Sequence, residues 1–432
     1  MSAQRFRRLA TASVAAAAVA LTTACSTSEG TGSSSSNGTT TLVLWTHNAG
    51  NDKELGVVKQ VIDDFNASQT KFKVEYQAFP QGSYNDAVVA AATAKKLPCL
   101  LDVDGPNVPN WAWANYLEPL NIPDNQFTGQ LPSTVGKYQE KVYSFGFYDV
   151  ALSMITRKST LDSNDIRVPT LAQPWTAAEF AAALAKIKAS GKFDHPLDLG
   201  TAGTGEWWSY GYSPFLQSFG GDLIDRSAYT TAAGALNGAP AIAWAKWFQD
   251  LAADGLMAKK SGQDPALDFT NGKTAISWNG SWAADTVTAK FDDVLFLPPP
   301  DFGAGPKIGG ASWQWAMTSS CGSKEGAQAY LAFSRQTKYF VAFAKTLGLI
   351  PASTEAAAQI PDYAPDGKYR VFLELAGKAA VVRPETPAYP YISSVFTKAA
   401  QDILNGADPK QTLDKAVAEI DNNIKQNDNY RS

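Results

Sequence analysis

The chain has 432 residues, of which 45% are hydrophobic and 18% are charged, so it can bury a large core and is not an intrinsically disordered polypeptide. At roughly 150 residues per domain, this length suffices for two or three domains. The formal net charge of −4 argues against binding to nucleic acids and to anionic lipids, both of which require basic patches.

Residues 1–24 have the composition of a secretory leader. Arg5, Arg7 and Arg8 precede an apolar run over residues 9–21 that is too short to span a bilayer, and small residues follow it. This pattern predicts a lipoprotein signal peptide that ends at residue 24, and therefore an exported protein.

Cys25 directly follows the leader, and a cysteine at this point resembles a bacterial lipoprotein signal, in which the thiol is acylated before cleavage. Thr22 stands where such signals prefer Leu, and a soluble cleaved product and an uncleaved anchor are the alternatives. Residues 25–40 are rich in Ser, Gly and Thr, which predicts a flexible tether. We therefore expect a protein held at the outer face of the cell membrane through a lipid on Cys25.

After the tether, strands and helices alternate. A short apolar run at 42–45 predicts a strand, apolar residues at helical spacing over 55–65 predict a helix, and period-two alternation over 72–78 predicts a second strand. A helix over 84–96 and a buried strand over 99–103 complete a β-α-β-α-β order, which is typical of a mainly parallel sheet with helices on its faces. Ligands bind such sheets at the carboxyl ends of the strands, so the loops after the first and third strands are candidate binding loops.

The later sequence predicts further helices. Thr176 and Glu179 are spaced as a capping box at the start of an Ala-rich helix, and helical patterns cover 242–251 and 325–347. The last helix begins at Asp408, an N-cap residue that is followed by proline.

The sequence contains no recognisable motif for metal, cofactor or nucleophile chemistry. The two histidines, His47 and His195, are far apart and belong to no metal-binding motif, so we expect no metal and no cofactor. Carboxylates are plentiful, so the composition also allows a glycoside hydrolase with two catalytic carboxylates. Besides Cys25 there are Cys99 and Cys321, which in an oxidising compartment are either a disulfide pair or two separate buried thiols.

Five segments carry patterns of a known family: residues 42–48, 97–105, 142–155, 268–282 and 309–351. The most specific runs from Asp268 to Trp282 and resembles the pattern F-x-x-G-K-x-A-M-x-x-x-G-x-W, with Ile276 at the Met position. In order and spacing, the segments resemble the extracellular solute-binding proteins of ABC importers, the family of maltose-binding protein. Cys99 stands where the family usually has Asp, and Thr156-Arg157 stand where it typically has Tyr-Asn.

The resemblance implies an α/β, two-lobed fold of the periplasmic-binding-protein type (type 2). Each lobe would be a mixed, mostly parallel sheet flanked by helices, and the ligand would bind in the cleft between the lobes. The implied N-terminal lobe comprises residues 41–149 plus 310–350, and the implied C-terminal lobe comprises residues 150–309 plus 351–432.

Position by position, the resemblance assigns aromatic, polar and acidic residues to the ligand. They are Trp45, His47, Asn48, Asp104, Tyr148, Asp149, Glu206, Trp207, Trp208, Asn279, Gly280, Trp282, Gly310, Trp313, Arg383 and Tyr389. Trp282 is the expected sugar-stacking indole, with a core indole as the alternative, and one of the adjacent Trp207 and Trp208 is expected to face the core. The resemblance also places Cys99 at the start of one strand of the N-terminal lobe and Cys321 at the end of the antiparallel strand beside it, which favours a disulfide between them.

Four of these ligand residues carry further expectations. Trp45 is expected to pack at the end of its strand, and a structural role explains His47 as well as a ligand contact does. Arg383 has a surface ion pair as its alternative. Asp104 ends the third strand, where its carboxylate is placed to accept two hydroxyl donors.

Aromatic and acidic residues dominate the assigned set, which favours a neutral polyol as the ligand. We therefore expect a monomeric receptor that captures a carbohydrate by lobe closure and delivers it to the permease of an ABC transporter, without chemistry of its own. The alternatives are the same fold binding a peptide, a polyamine or an anion, and, from another class, a lipid-anchored glycoside hydrolase.

Overall fold

The computed structural model describes residues 38–262, 264–310 and 312–431. The predicted signal peptide, the lipidation site Cys25 and nearly all of the predicted tether lie outside these residues. The first strand begins at Thr40, the last residue of that tether. In the described part of the chain, no helix combines the length and the apolar character needed to cross a membrane.

The strands form two larger sheets and two short pairs. The strands are β1 (Thr40–Thr46), β2 (Phe72–Ala78), β3 (Leu100–Asp104), β4 (Leu117–Glu118), β5 (Val135–Tyr138), β6 (Lys141–Phe145), β7 (Tyr148–Asp149), β8 (Leu152–Arg157), β9 (His195–Asp198), β10 (Thr274–Gly280), β11 (Val294–Leu297), β12 (Ile308–Gly310), β13 (Trp313–Thr318), β14 (Ile350–Pro351) and β15 (Ala380–Val382). The α-helices are α1 (Asp52–Ser68), α2 (Gln81–Thr93), α3 (Val108–Trp113), α4 (Lys158–Ser163), α5 (Ala177–Ser190), α6 (Trp207–Ser218), α7 (Ala239–Ala253), α8 (Pro265–Thr270), α9 (Ala284–Thr288), α10 (Lys324–Ser334), α11 (Thr337–Leu347), α12 (Thr354–Ala357), α13 (Arg370–Lys378), α14 (Tyr389–Leu404) and α15 (Pro409–Gln426).

The first sheet has the order β2-β1-β3-β13-β6-β5, with β4 beside β13. Strands β2, β1 and β3 are parallel, as the alternation of strands and helices predicts. β13 comes from a distant part of the chain and lies antiparallel to both β3 and β6. Because β1 and β3 run in the same direction, the residues at their carboxyl ends, His47 and Asp104, lie at one edge of this sheet.

The second sheet has the order β11-β8-β10-β9, in which β8 is antiparallel to both of its neighbours and β9 is parallel to β10. The predicted α/β fold with two lobes and mixed sheets is confirmed, but one detail needs correction. Among the described strands of both sheets, antiparallel pairings outnumber parallel ones. Local periodicity identifies a strand without revealing the direction in which it enters the sheet, so the reversed direction of β8 was not predicted. The antiparallel strand beside β3, which is β13, was implied by the family resemblance and is confirmed.

Short strand pairs lie where the chain passes between the two sheets. β7 is antiparallel to β14, and β12 is parallel to β15. β7, β12 and β14 lie at the three predicted boundaries between the lobes. Ala352 and Ala356 follow β14 and pack into the core beside the first sheet, although the predicted boundary assigns them to the C-terminal lobe. The bounds of the lobes stay a prediction.

Several tryptophans are core residues. Trp175, Trp244 and Trp278 are at most 1% exposed in the core beside the second sheet, and Trp111 is equally buried beside the first. Burial of a large aromatic side chain stabilises a fold by roughly 4–6 kcal/mol at most. Packing alone therefore explains these four indoles, and the candidates for ligand contact are found among the other tryptophans.

The predicted helix over 325–347 is divided into α10 and α11. Gln336 has an extended backbone conformation between them, with φ of −61° and ψ of 134°. The change of direction lets Tyr330 in α10 and Tyr339 in α11 both become fully buried. Helical periodicity continues through the break because the apolar residues on both sides face the same core.

A disulfide joins Cys99 and Cys321, which confirms the predicted pair. Cys99 directly precedes β3, and Cys321 follows the end of β13, its antiparallel neighbour. The amide of Thr318 donates a hydrogen bond to the carbonyl oxygen of Cys99 at 3.0 Å, which sets the register that brings the two cysteines together. The bond therefore ties two strands that are far apart in the sequence.

Removal of this disulfide is expected to destabilise the protein. The two cysteines are 222 residues apart, so the bond removes much of the conformational entropy of the unfolded chain. A variant with both C99S and C321S should lose about 2–4 kcal/mol in the free energy of unfolding, measured by urea denaturation. A reductant should lower the stability of the wild-type protein to that of the variant and leave the variant unchanged. Equal stability of the oxidised wild type and the variant would contradict the prediction.

Candidate functional site in the interlobe cleft

A cavity of about 730 Å³ lies between the two lobes. The first lobe contributes residues from the carboxyl ends of β1 and β3 and from α2, and the second lobe contributes residues from α6 and α14 and from the turn after β10. This is the position at which the order of strands and helices predicts a binding site.

Half of the predicted ligand residues line this cavity. They are His47, Asp104, Tyr148, Glu206, Trp207, Trp282, Trp313 and Arg383. They come from both lobes and from the strands that connect them, and the fold brings them together although they are spread over most of the chain.

On the side of the first lobe, three predicted residues lie behind the cavity wall. Trp45 packs against Phe79, with 4.6 Å between the ring centroids, as expected for an indole at a strand end. The side chain of Asn48 is hydrogen-bonded to the ring of His47 at 3.2 Å. The carboxylate of Asp149 accepts a hydrogen bond from the hydroxyl of Ser133 at 2.6 Å, and burial raises the pKa of Asp149.

The remaining five predicted residues also lie outside the lining. Trp208 is 2% exposed and is the core member of the tryptophan pair, while Tyr389 binds Glu206 from behind. The side chain of Asn279 accepts a hydrogen bond from the amide of Gly280, and Gly310 pairs with β15.

Arg383 forms an ion pair that crosses the cleft. Its two terminal nitrogens bind the two carboxylate oxygens of Asp104 at 2.9 and 3.0 Å, and one of them also binds Glu206 at 3.0 Å. Burial alone would lower the pKa of Arg383, but the carboxylates of Asp104 and Glu206 outweigh burial and raise it. The surface ion pair considered from the sequence is therefore replaced by a buried one that joins the two walls.

Glu206 directly precedes α6 and accepts hydrogen bonds from several donors. Besides Arg383, the hydroxyl of Tyr389 binds one carboxylate oxygen and the hydroxyl of Ser393 binds the other at 2.9 Å. Burial, together with the nearby carboxylate of Glu206, raises the pKa of Tyr389, so this phenol stays a hydrogen-bond donor. Both oxygens of Glu206 are therefore occupied by donors from the protein itself.

His47 is the centre of a second polar network in the first lobe. Its Nδ1 lies 2.5 Å from a carboxylate oxygen of Asp102, and its Nε2 lies 3.7 Å from a carboxylate oxygen of Glu54. Burial alone would lower the pKa of His47, but the two carboxylates outweigh burial and raise it. Tyr148 donates a hydrogen bond of 2.5 Å to Glu54, and burial raises the pKa of that carboxyl. The network thus links β1 to β7, one of the strands that connect the lobes.

Trp313 is held in place by this network. Its indole stacks on the ring of His47, with 3.7 Å between the ring centroids and 9° between the planes. Both side chains line the cavity, so His47 has a structural role and a place in the lining at the same time.

The second lobe presents an aromatic wall, which we define as Trp207, Tyr210 and Trp282. Their ring centroids are 6.2 to 6.3 Å apart, and Trp282 is 42% exposed. Two glycines allow this packing. A Cβ atom on Gly280 would lie 2.0 Å from the ring of Trp282, and one on Gly203 would lie 2.3 Å from the ring of Trp207.

Sequence reasoning missed several residues whose polar atoms are buried in the cavity lining. The side-chain nitrogen Nδ2 of Asn107, the oxygen Oδ1 of Asn85 and the hydroxyl of Tyr210 have no hydrogen-bond partner among the described residues, and neither does Nε of Arg383. Buried polar atoms are nearly always hydrogen-bonded, so these four atoms need partners that the described residues do not supply. Asn107 lies in the predicted loop after β3 and was accessible to sequence reasoning, whereas Asn85 and Tyr210 lie on helices that showed no such signal.

Two α/β lobes that face each other across a polar and aromatic cavity define a two-lobed ligand-binding protein. A profile of the family described as "Bacterial extracellular solute-binding protein" matches residues 60–370, and the chain belongs to this family. The resemblance inferred from the sequence is thereby confirmed. No curated protein sequence matches the chain.

Solved structures share the fold at low sequence identity. The GacH receptor of Streptomyces glaucescens, solved unliganded and with acarbose, has a TM-score of 0.73 and 20% identity over 89% of this chain and 97% of that chain. The cyclic α-maltosyl-1,6-maltose binding protein of Arthrobacter globiformis has a TM-score of 0.72 and 21% identity, covering 89% and 99% of the two chains. The MalE domain of Bdellovibrio bacteriovorus, bound to maltotriose, has a TM-score of 0.73 and 17% identity, covering 89% and 100%.

Replacement of Arg383 is expected to destabilise the protein strongly. R383M leaves the carboxylates of Asp104 and Glu206 without their cation in a site shielded from water, which should cost about 3–5 kcal/mol in the free energy of unfolding. Urea denaturation at neutral pH measures this loss. Addition of D104N and E206Q to R383M should recover part of it, because the unpaired charges are then gone. An R383M variant as stable as the wild type would show that the ion pair has no such role.

The His47 network predicts a dependence of stability on pH. The pKa of His47 is raised in the folded protein, so its contribution is fully present below the unfolded pKa of about 6.5 and is lost as the pH rises through the raised value. The raised pKa of Glu54 acts in the same direction. The free energy of unfolding, measured by urea denaturation over a pH series, should therefore fall as the pH rises above about 6.5. H47Q should flatten this pH dependence of the free energy of unfolding, while the control H195Q should retain it. If the free energy of unfolding has the same slope against pH in H47Q and in the wild type, the prediction is wrong.

Proposed function

We propose that this protein is the substrate-binding component of an ABC importer and that it captures a carbohydrate in the cleft without chemical change. The observation that carries this proposal is an aromatic wall with an exposed indole, Trp282, in the same cavity lining as polar side chains that lack partners. Indole and phenol faces match the C–H faces of sugar rings, and sugar hydroxyls both donate and accept hydrogen bonds. A carbohydrate would satisfy both features of the lining at once.

The size of the cavity supports a ligand with more than one sugar ring. A volume of about 730 Å³ is in the upper part of the range of roughly 300–1,000 Å³ that is typical of small-molecule sites. The related structures from three bacteria are named for, or hold, acarbose, a cyclic maltosyl-maltose and maltotriose. These ligands are in keeping with an oligosaccharide in the present cleft.

The state of the carboxylates favours binding over hydrolysis. A glycoside hydrolase needs two carboxyl groups that are free to act as acid and as nucleophile or base. Asp104 and Glu206 lie on the two walls of the cleft, but Arg383 occupies both of them. We therefore assign the site to capture and release, with the lobes closing about the strands that connect them.

We further propose that the captured sugar passes to the permease of the transporter and that the protein works as a monomer with no cofactor or metal. The predicted lipid on Cys25 would hold it at the outer face of the cell membrane, and the tether would keep it near the permease at a high effective concentration. Membership in a family of extracellular proteins supports export, and the anchor itself rests on the sequence of residues 1–25.

Calorimetric titration with a panel of ligands tests the proposed function. The panel contains glucose, maltose, maltotriose and cellobiose, with a tripeptide and spermidine as the other solutes. Saturable binding of a sugar that is recovered intact is the expected result. Exclusive binding of the peptide or of spermidine, or turnover of the sugar, would contradict the proposal.

Replacement of Trp282 tests the aromatic wall. W282A should weaken sugar binding by about 5- to 30-fold, because a stacked aromatic face contributes roughly 1–2 kcal/mol. Its effect on the free energy of unfolding should be small, since the side chain is 42% exposed. The control is Y76A, which removes an aromatic ring of similar exposure outside the cavity and should leave binding unchanged. Unchanged affinity of W282A would remove this indole from the site.

A further inference from the structure

The titratable side chains that line the cavity carry an excess of negative charge. Their acidic and basic members are His47, Glu54, Asp86, Asp104, Glu206 and Arg383, their tyrosines are Tyr148 and Tyr210, and no lysine belongs to the described lining. The charge of Arg383 is already shared by two carboxylates. A partly enclosed cavity with this balance of charge attracts cations and repels anions.

Three of the four carboxylates in the lining are already occupied by donors from the protein. Both oxygens of Asp104 bind Arg383, and both oxygens of Glu206 bind donors from the second lobe. Glu54 accepts hydrogen bonds from Tyr148 at 2.5 Å and from the side chain of Asn51 at 2.9 Å. These groups shape the cavity and its field, and protein donors already offset part of their negative charge.

Asp86 is different. It lies on α2, its side chain is exposed, and it has no hydrogen-bond or ion-pair partner among the described residues. The neighbouring Asn85 also lines the cavity, and its buried Oδ1 has no donor. One turn earlier, a Cβ atom on Gly82 would lie 3.2 Å from the hydroxyl oxygen of Thr204, so this part of α2 closely faces the second lobe. Two adjacent acceptors on one wall of the cleft therefore lack donors.

We propose that Asp86, with Asn85, selects a sugar that carries a protonated amine. An ammonium group supplies a positive charge and three donors and has no acceptor, so it matches a free carboxylate beside an unpartnered carbonyl oxygen. A neutral hydroxyl supplies one donor and no charge. This inference rests on the proposed carbohydrate function and adds the chemical class of the ligand.

The aromatic wall favours an amino sugar over a linear polyamine. A polyamine has no flat C–H face of ring size to cover Trp207, Tyr210 and Trp282, and its ammonium groups offer no acceptor to the side-chain nitrogen of Asn107. An amino sugar has hydroxyl oxygens that accept hydrogen bonds, a ring face for the wall and an amine for the α2 side of the same cavity.

The test compares ligands that differ at one substituent. Cellobiose, its diamino counterpart chitobiose and N,N′-diacetylchitobiose have a hydroxyl, an ammonium or a neutral amide at the same ring position, and glucose, glucosamine and N-acetylglucosamine form a second set. Calorimetric titration is done at low ionic strength and at a pH where the amines are protonated. The ammonium form should bind about threefold or more tightly than either neutral form, and added salt should weaken this preference.

Asp86 is then replaced. D86N should reduce the preference for the ammonium form by about three- to fivefold and leave the affinity for the neutral sugars nearly unchanged. The control is D63N, which changes the net charge equally at an exposed residue of α1 outside the cavity and should keep the preference.

The outcomes separate this inference from the proposed function. Equal affinity of the wild type for charged and neutral forms, a preference that D86N retains, or binding of neutral sugars alone would overturn the selection of an amine. Failure of every sugar, charged or neutral, would contradict the carbohydrate function itself. Tighter binding of spermidine than of any sugar would assign the cleft to polyamines and contradict both.

Discussion

The guanidinium of Arg383 binds carboxylates from both walls of the cleft, Asp104 at the end of β3 and Glu206 at the start of α6. The pair with Asp104 is shielded from water, so it is little screened, and either charge alone would carry a large desolvation cost. The rest of the site depends on this constraint. It sets the position of the β3 edge of the first lobe against α6 and α14 of the second, and it thereby fixes the distance across which a ligand is held.

The two walls of the cleft make different contributions. The first lobe supplies polar groups, with the His47 network behind and Asn85, Asp86 and Asn107 at the surface of the cavity. The second lobe supplies the aromatic wall and the hydroxyl-rich surroundings of Glu206. A ligand must therefore present hydroxyls or an amine to one side and an apolar ring face to the other. Amphipathic rings of this kind are characteristic of carbohydrates, and the free carboxylate on the polar side bears on which carbohydrate is preferred.

Much of this arrangement could be predicted because some signals are local. His47 and Asp104 directly follow or end the strands β1 and β3, and the carboxyl ends of parallel strands meet at one edge of a sheet. Trp282 was identified by the family resemblance, which places a sugar-stacking aromatic residue after a glycine turn. Asn85, Asp86 and Tyr210 were missed, since each lies on a helix whose pattern indicates only packing and exposure. Which of two adjacent indoles faces the cavity was also open, and it was settled by the contacts of Trp208 with the core.

The sequence by itself determined the order of the first strands and helices, the strand ends that carry polar residues, the pairing of the two cysteines as one of two possibilities, and the membership in a family of binding proteins. These features follow from periodicity, turn residues and motif spacing, which act over a few residues. Only the tertiary structure decided the reversed direction of β8, the pairing of Arg383 with both walls, and the polar atoms left without partners. The physical reason is that each of these depends on distances between side chains that are far apart in the chain, and such distances exist only after the lobes have packed.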